Sequence, residues 1–319
     1  MECKTYVGID VSKMFFDVAI EEGSGYQHVQ LVNEENGFKA LIRLVKQHMH
    51  CHIVMEATGP YYLRLATFLY DHGIDVSVVN PLVIRRFCQM RLCKAKTDKK
   101  DAKMIAMYGQ REQPQLWKPD DAYVLELRQM QAAIEGFNKS RTSMIRQKEA
   151  FSQSTSTSKD VIESLNKVIA VLEAEITSLE CKMEKLTEEH HKDMFKSLQS
   201  IPGVGRKTAM QLIVASGAFS KFSSAKQLTA YFGLSPRIFQ SGSSVKGRSK
   251  ITKMGMGRIR AMLYVCAWSA KRCNKTCREL YERLLHKGKS KRLALVAVAN
   301  KLIKQAFAIA TSGKAFQAA

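Results

Sequence analysis

The stretch Tyr6-Val7-Gly8-Ile9-Asp10 decides the fold, because an apolar run that ends on a carboxylate reads as a strand whose last residue stands where a sheet meets solvent. Working outward, a turn at Val11 to Met14 leads into a second strand at Phe15 to Ile20, and His28 to Val32 reads as a third. Asn36 starts a helix whose apolar face carries Phe38, Leu41, Ile42 and Val45. His52 to Met55 reads as a short buried strand, Pro60 as the opening of another helix, Val76 to Val79 as a further strand and Asp98 to Tyr108 as a helix. Three strands followed by alternating helices and strands predict an α/β domain over residues 1–115, a mixed sheet with helices packed on it.

Beyond that point the period changes. Ile162, Leu165, Ile169, Leu172, Ile176, Leu179, Met183 and Leu186 keep a strict 3-4 spacing, the mark of a coiled-coil seam. Tyr123, Leu127, Met130, Ile134, Phe137 and Met144 hold a matching register, broken only by Arg141. The polar, helix-poor tract Ser152 to Ser158 lies between the two runs. These patterns predict a central antiparallel coiled-coil hairpin over residues 120–194, read equally well as a dimerisation arm or as a hairpin within one chain. Residues 195–319 read as a mainly α C-terminal domain, interrupted by Ser241-Gly242-Ser243-Ser244.

With 319 residues and 45% hydrophobic content the chain has material for true cores, which sets aside a disordered protein. The formal net charge of +21 and a sequence pI of about 9.7 favour polyanionic partners, nucleic acid first. Composition alone leaves open a basic protein with no such partner. The eight cysteines are scattered, with no C-x-x-C pair, and nothing at the Met1 end reads as a secretory leader, so they read as reduced thiols of a cytoplasmic protein. Cys273 and Cys277 stand one helical turn apart, but no second pair or histidine completes a zinc site. No apolar run approaches the ~20 residues of a membrane span, so no membrane partner is expected.

The chemistry-bearing residues are acids. Asp10 and Glu56 each close an apolar strand, and Asp98 and Asp101 share one face of a helix flanked by Lys94, Lys96, Lys99, Lys100 and Lys103. Taken singly, each is more often a solvated strand-end or salt-bridged acid. Together they are more telling, because clustered carboxylates repel unless a hard divalent cation offsets them, and oxygen ligands suit Mg²⁺. Two such ions can clamp the attacking and leaving oxygens of a phosphodiester displacement. Two strand-borne acids and a helix-borne pair are the arrangement expected of a ribonuclease-H-like or RuvC-like nuclease core.

Four blocks, in this order, resemble the DEDD insertion-sequence transposases: Val7-Gly8-Ile9-Asp10-Val11-Ser12-Lys13, Met55-Glu56-Ala57-Thr58-Gly59, Lys96-Thr97-Asp98-Lys99-Lys100-Asp101-Ala102, and Gly233-Leu234-Ser235-Pro236 followed by Ser241-Gly242. The resemblance covers nearly the whole chain. It implies a RuvC-like catalytic domain whose Mg²⁺-binding acids are Asp10, Glu56, Asp98 and Asp101, with a two-ion site open. It also implies a C-terminal transposase domain whose nucleophilic serine is Ser241, with Ser243 and Ser244 as local competitors. Donor and target DNA as substrates, guidance by a structured noncoding bridge RNA, and assembly into a dimer or tetramer in a bacterial or archaeal nucleoid follow from the same resemblance. Acids and serine lie on opposite sides of the hairpin in the sequence, which is compatible with a site shared between protomers.

Ile201-Pro202-Gly203-Val204-Gly205-Arg206-Lys207 resembles the turn of a helix-hairpin-helix motif. There Gly203 and Gly205 would allow close backbone approach, and the next helix's amides, with Arg206 and Lys207, would hold phosphate. A glycine-rich helix connection is the alternative, and Arg206 and Lys207 directly after the turn favour nucleic-acid contact. Arg237, Lys246, Arg248, Lys250 and Lys253 bracket the serine loop as candidate DNA-phosphate contacts, and Lys287, Lys289, Lys291 and Arg292 form a second basic run. Besides the recombinase, two readings stay open: a RuvC-like nuclease that cuts without rejoining, in which Ser241 is dispensable, and a noncatalytic nucleic-acid-binding protein indifferent to metal.

Overall fold

A computed structural model of the protein describes residues 4–23, 25–48, 50–92, 97–237, 240–241, 245–246, 250–252 and 254–317. The chain divides into two compact units, Met1–Pro119 and Asp120–Ala319.

The first unit is built on a mixed five-stranded sheet. Strands β1 (Thr5–Val11), β2 (Phe15–Glu22) and β3 (Gly25–Val32) form an antiparallel meander, while β4 (Cys51–Glu56) and β5 (Asp75–Val79) extend the sheet in parallel from the other side of β1. The strand order is therefore β3-β2-β1-β4-β5. Helices α1 (Glu35–Val45) and α2 (Tyr62–Asp71) cover one face, where Phe38, Leu41, Leu65 and Leu69 meet Val7, Ile9, Phe16 and Val18. Helices α3 (Pro81–Met90) and α4 (Asp98–Glu112) belong to the other face, where Ile84 and Ile105 join Tyr6, Val54 and Val79. Burial from both sides explains why β1 and β4 read as near-continuous apolar runs rather than alternating ones.

The expected elements are present with shifted ends: β3 begins at Gly25 rather than His28, and the helix expected from Pro60 begins at Tyr62. Helix α3 has no counterpart in the sequence reading. Its start is set by Asn80, whose side chain accepts a hydrogen bond from the Leu82 amide, with Pro81 in the first turn where its missing N–H costs nothing.

One contact fixes α4 on the sheet. A Cβ added at Gly8 would lie 2.1 Å from the Ala102 carbonyl oxygen and 2.3 Å from the Ala106 amide nitrogen, so the helix backbone rests directly on β1. Three residues further along α4 from Ala106, Gly109 lies against Val54 and Tyr6. The helix therefore runs antiparallel to β1, and its N-terminus lies toward the Asp10 end of that strand.

The second unit opens with α5 (Ala122–Ser152) and α6 (Lys159–Gln199). Lys148 donates to Asn166 at 2.7 Å, Arg141 meets Glu173 at 3.6 Å, and the Tyr123 hydroxyl lies 2.9 Å from His191 Nε2. Moving down one helix moves up the other, so the pair is antiparallel, and the Arg141 that breaks the apolar register is answered by an acid. Helix α6 is interrupted at His191 (φ −139°, ψ 37°), beside the stacked rings of His190 and Tyr123. After it come α7 (Arg206–Ser216), α8 (Ala225–Tyr231), the two-residue strands β6 (Pro236–Arg237), β7 (Gln240–Ser241), β8 (Val245–Lys246) and β9 (Lys250–Ile251), then α9 (Gly257–Cys273), α10 (Lys275–His286) and α11 (Lys291–Ser312). Strand β6 pairs with β9, and β7 with β8.

A single core cluster joins Leu127, Ile134, Ile176 and Met183 of the hairpin to Leu212, Leu263 and Leu302 of the later helices. Helix α11 departs from the expectation that no apolar run approaches a membrane span, being long and apolar enough for one by length and composition. It packs against α6, α8, α9 and α10, and a helix surrounded by helices must be apolar on most sides.

The close approach at Gly8 makes a prediction. Gly8→Ala should lower the unfolding free energy of the protein by about 1–3 kcal/mol, the usual cost of overpacking. Gly136→Ala on the open face of α5, where an added Cβ meets nothing within 4 Å, should be neutral or stabilising. Denaturant melts of the two variants beside the wild type measure the difference, and equal effects at both positions would remove the proposed contact.

Candidate active site

The α4 face of the sheet carries the acids. Gly8 faces α4, and the side-chain period of two puts Asp10 on the same face, one residue beyond the Ile9–Met55 pairing that sets it beside Glu56. Asp98 and Asp101 occupy the first turn of α4, where the positive end of the helix dipole favours carboxylates, behind Thr97, whose hydroxyl accepts from the Lys100 amide. Glu56 accepts from the Thr58 hydroxyl at 3.4 Å.

These placements have an electrostatic consequence. Burial, followed by repulsion from Glu56, Asp101, Asp98 and Asp17, lifts the Asp10 carboxyl from 3.8 to about 6. Residues from three separate segments thus act on one carboxylate. The donor set is all oxygen, which suits a hard cation such as Mg²⁺, and a cation would offset the repulsion that Asp10 feels. Among the described residues no three acidic, histidine or cysteine side chains already stand close enough to hold an ion, so ligation would require these acids to draw together.

Asp17 is a member of this group that sequence reasoning missed. It is the register partner of Asp10 across β1 and β2, and it is buried. A ring nitrogen of His28 lies 2.7 Å from it, and the Gln30 amide donates to it at 3.2 Å. A lone acid inside the apolar run Phe15 to Ile20, with His28 and Gln30 on the next strand, was the available signal.

In the second unit, Ser241 is the last residue of β7 and pairs with Val245 of β8, and this pair lies between β6 and β9 in the chain. Arg237, Lys246 and Lys250 are backbone positions of β6, β8 and β9. Lys94, Lys96, Gly242, Ser243, Ser244, Arg248 and Lys253 lie outside the described residues.

The Gly203 turn joins α6 to α7. Gly203 has φ +100°, and an added Cβ would strike Ala270 of α9 at 2.7 Å, so this glycine serves helix packing. Gly205 caps α7 and has open space around it. Arg206 pairs with Glu184 and Glu188, and Lys207 with Glu180, all on α6. Both cations are exposed, so a phosphate would have to compete with these acids in water, where such pairs are weak.

Comparisons with known proteins agree over nearly the whole chain. A family model described as transposase, of the DEDD IS110 type, matches residues 7–157, and one described as transposase of the IS116/IS110/IS902 family matches residues 196–282. The chain is 32% identical to the pilin gene-inverting protein of Moraxella bovis over 98% of each, and 31% identical to that of Moraxella lacunata over 98% of each. It is 24% identical to the transposase for insertion sequence element IS1111A of Coxiella burnetii, over 92% of this chain and 86% of the relative.

The raised Asp10 carboxyl gives a measurable pH dependence. Folding favours its protonated form, so its contribution to stability is fully present below about 4 and is lost as the pH rises through about 6. In chelator, Asp10→Asn should therefore melt above the wild type at pH 7, and the gap should close at pH 4. Scanning calorimetry reads it, and coincident melting at pH 7 would mean that Asp10 feels no such repulsion.

Proposed function

The chain belongs to the IS116/IS110/IS902 transposase family, and from that premise we propose a recombinase that cuts and rejoins DNA with a metal-assisted acidic site and a serine nucleophile. The observation that carries the reading is the convergence of Glu56, Asp98 and Asp101 on the electrostatics of Asp10 at one end of the sheet. A strand-end aspartate, an acid on the neighbouring parallel strand and an acid pair on a helix crossing both suit a RuvC-like or ribonuclease-H-like nuclease core.

In this reading Asp10, Glu56, Asp98 and Asp101 hold Mg²⁺, as one ion or two. Bound there, Mg²⁺ would polarise the scissile phosphate and favour the serine alkoxide. Ser241 Oγ attacks phosphorus and loses its proton. An Oγ–P bond forms as the bond from phosphorus to one bridging DNA oxygen breaks, and that oxygen leaves as a hydroxyl. The resulting phosphoserine keeps the ester's energy, so a second DNA hydroxyl can attack it, expel Ser241 and seal the new junction. Asp17, held by His28 and Gln30, fixes the β2 side of the acid cluster and adds to the repulsion at Asp10.

The finer parts of the proposal rest on the resemblance. A bridge-type noncoding RNA would pair with donor and target DNA. Two or four copies would assemble through a coiled coil formed by α5 and α6, so that acids of one copy act with the serine of another. A helix-hairpin-helix contact would place the Gly203 and Gly205 amides, with Arg206 and Lys207, on phosphate, while Arg237, Lys246, Arg248, Lys250 and Lys253 hold DNA beside Ser241. The work would take place in the cytoplasm, on the nucleoid.

The test incubates the protein with its RNA, donor DNA and target DNA, with and without Mg²⁺, and resolves protein–DNA adducts on denaturing gels. A covalent adduct should form with Mg²⁺ only. Asp10→Asn and Ser241→Ala should each reduce it at least about 100-fold, the scale of losing a general catalytic group. An adduct that survives Ser241→Ala rejects the nucleophile, and cleavage without rejoining in that variant favours the nuclease reading.

A further inference from the structure

The second unit holds a groove of about 1170 Å³ between α8, α10 and α11, closed at one side by the β6–β9 pair. It has two chemically distinct zones. The rim carries Lys226, Arg283, Arg292, Lys301 and Lys304, and no acidic side chain is among the described residues that line it. None of these five cations has an ion-pair partner among the described residues, in contrast to Arg206 and Lys207. The rest of the lining, its floor, is largely aliphatic, with Leu234, Ile251, Leu280, Val296 and the more exposed Leu293, among the uncharged polar side chains of Thr229, Ser235, Ser290, Asn300 and Gln305.

Basic rim and apolar floor together select the occupant. Five like charges gathered with no ion-pair partner among the described residues call for a polyanion. A DNA duplex would satisfy the rim but leave the floor uncovered, because its bases face inward. An unpaired strand offers both surfaces, phosphates for the rim and exposed base faces for the floor. The chain's own 238–249 segment carries Lys246 and Arg248 and no acid, so like charge argues against it as the occupant. Arg292 and Lys304 are twelve residues apart on α11, or about 18 Å at the helical rise, enough for several consecutive phosphates.

We propose that this groove binds an unpaired segment of DNA strand, phosphates on the cationic rim and one or more bases on the aliphatic floor. The inference rests on the reading of the chain as a DNA recombinase, and it adds a place for a strand that has left its duplex. Ser235, Pro236 and Ile251 line the groove and flank the segment that carries Ser241, so a strand held here meets the β6–β9 pair that brackets the serine segment in the chain.

Fluorescence anisotropy of the full-length protein tests it, with oligothymidylate of about 20 nucleotides, oligouridylate of the same length and a DNA duplex, each over a salt series. Arg292→Gln/Lys301→Gln/Lys304→Gln should weaken oligothymidylate binding at least roughly tenfold and flatten its salt dependence by about two, since each phosphate contact on a single strand contributes ~0.7 to the log–log slope. Leu293→Ala/Val296→Ala should weaken oligothymidylate and leave both the salt slope and duplex binding unchanged. Should the triple variant not fold, Arg292→Gln alone, exposed in the first turn of α11, must still flatten the slope by about 0.7.

Unchanged oligothymidylate binding in folded variants overturns the groove assignment. So does an equal loss on duplex in Leu293→Ala/Val296→Ala, and so does a loss confined to oligouridylate. A wild-type protein that binds none of the three probes contradicts the recombinase reading itself, a result distinct from failure of the groove.

Discussion

The first unit depends on one close contact, the seating of the α4 backbone on β1 at Gly8. Without a side chain there, the helix lies low enough for Ala102 and Ala106 to touch the strand, and Asp98 and Asp101, in the turn that leads up to Ala102, lie toward Asp10. Any larger residue at position 8 would lift the helix, and the acids would lose their common neighbourhood. The charge concentration at the strand end is thus a packing result, and burial is the leading cause of the raised Asp10 carboxyl. The same burial makes a counter-ion valuable there, because a carboxylate taken out of water is costly until something balances it.

Strands β1 and β4 are legible because they are buried on both faces, and Asp10 and Glu56 because they fall at the ends of those runs. Helix α3 begins at Pro81, which taken alone reads as a breaker, and only the Asn80 cap reveals it as a first-turn proline. Asp17 sits inside a strand, and its meaning comes from register, with Asp10 on one neighbour and His28 and Gln30 on the other. Strands of two residues, as β6 to β9 are, carry no period to detect. The apolar seam of α5 and α6 was plain, yet nothing in its spacing says that Leu127 and Met183 share a core with Leu302 more than a hundred residues later.

Charge shows the same division between what spacing reveals and what folding decides. The sequence supplies a large basic excess but not its distribution. Arg206 and Lys207 looked like phosphate ligands by their place after a glycine turn, and they face acids of α6. The cations around the α8–α10–α11 groove come from three helices, Arg292 alone among them belongs to a basic run of the sequence, and none has an ion-pair partner among the described residues. Proximity in the chain is a poor guide to which cations remain available to a partner, because a long helix such as α6 carries its acids far from where its neighbours' cations are encoded.

Helix α11 has a consequence for how the protein is made. It is encoded after every element it packs against, and it contributes Leu295, Val298, Leu302 and Ile303 to the middle of the core. During synthesis the earlier helices must therefore wait with their apolar sides uncovered until that stretch clears the ribosome. A gene copy cut short before it would yield a chain with an open core, prone to aggregate and be degraded, rather than a partly working protein.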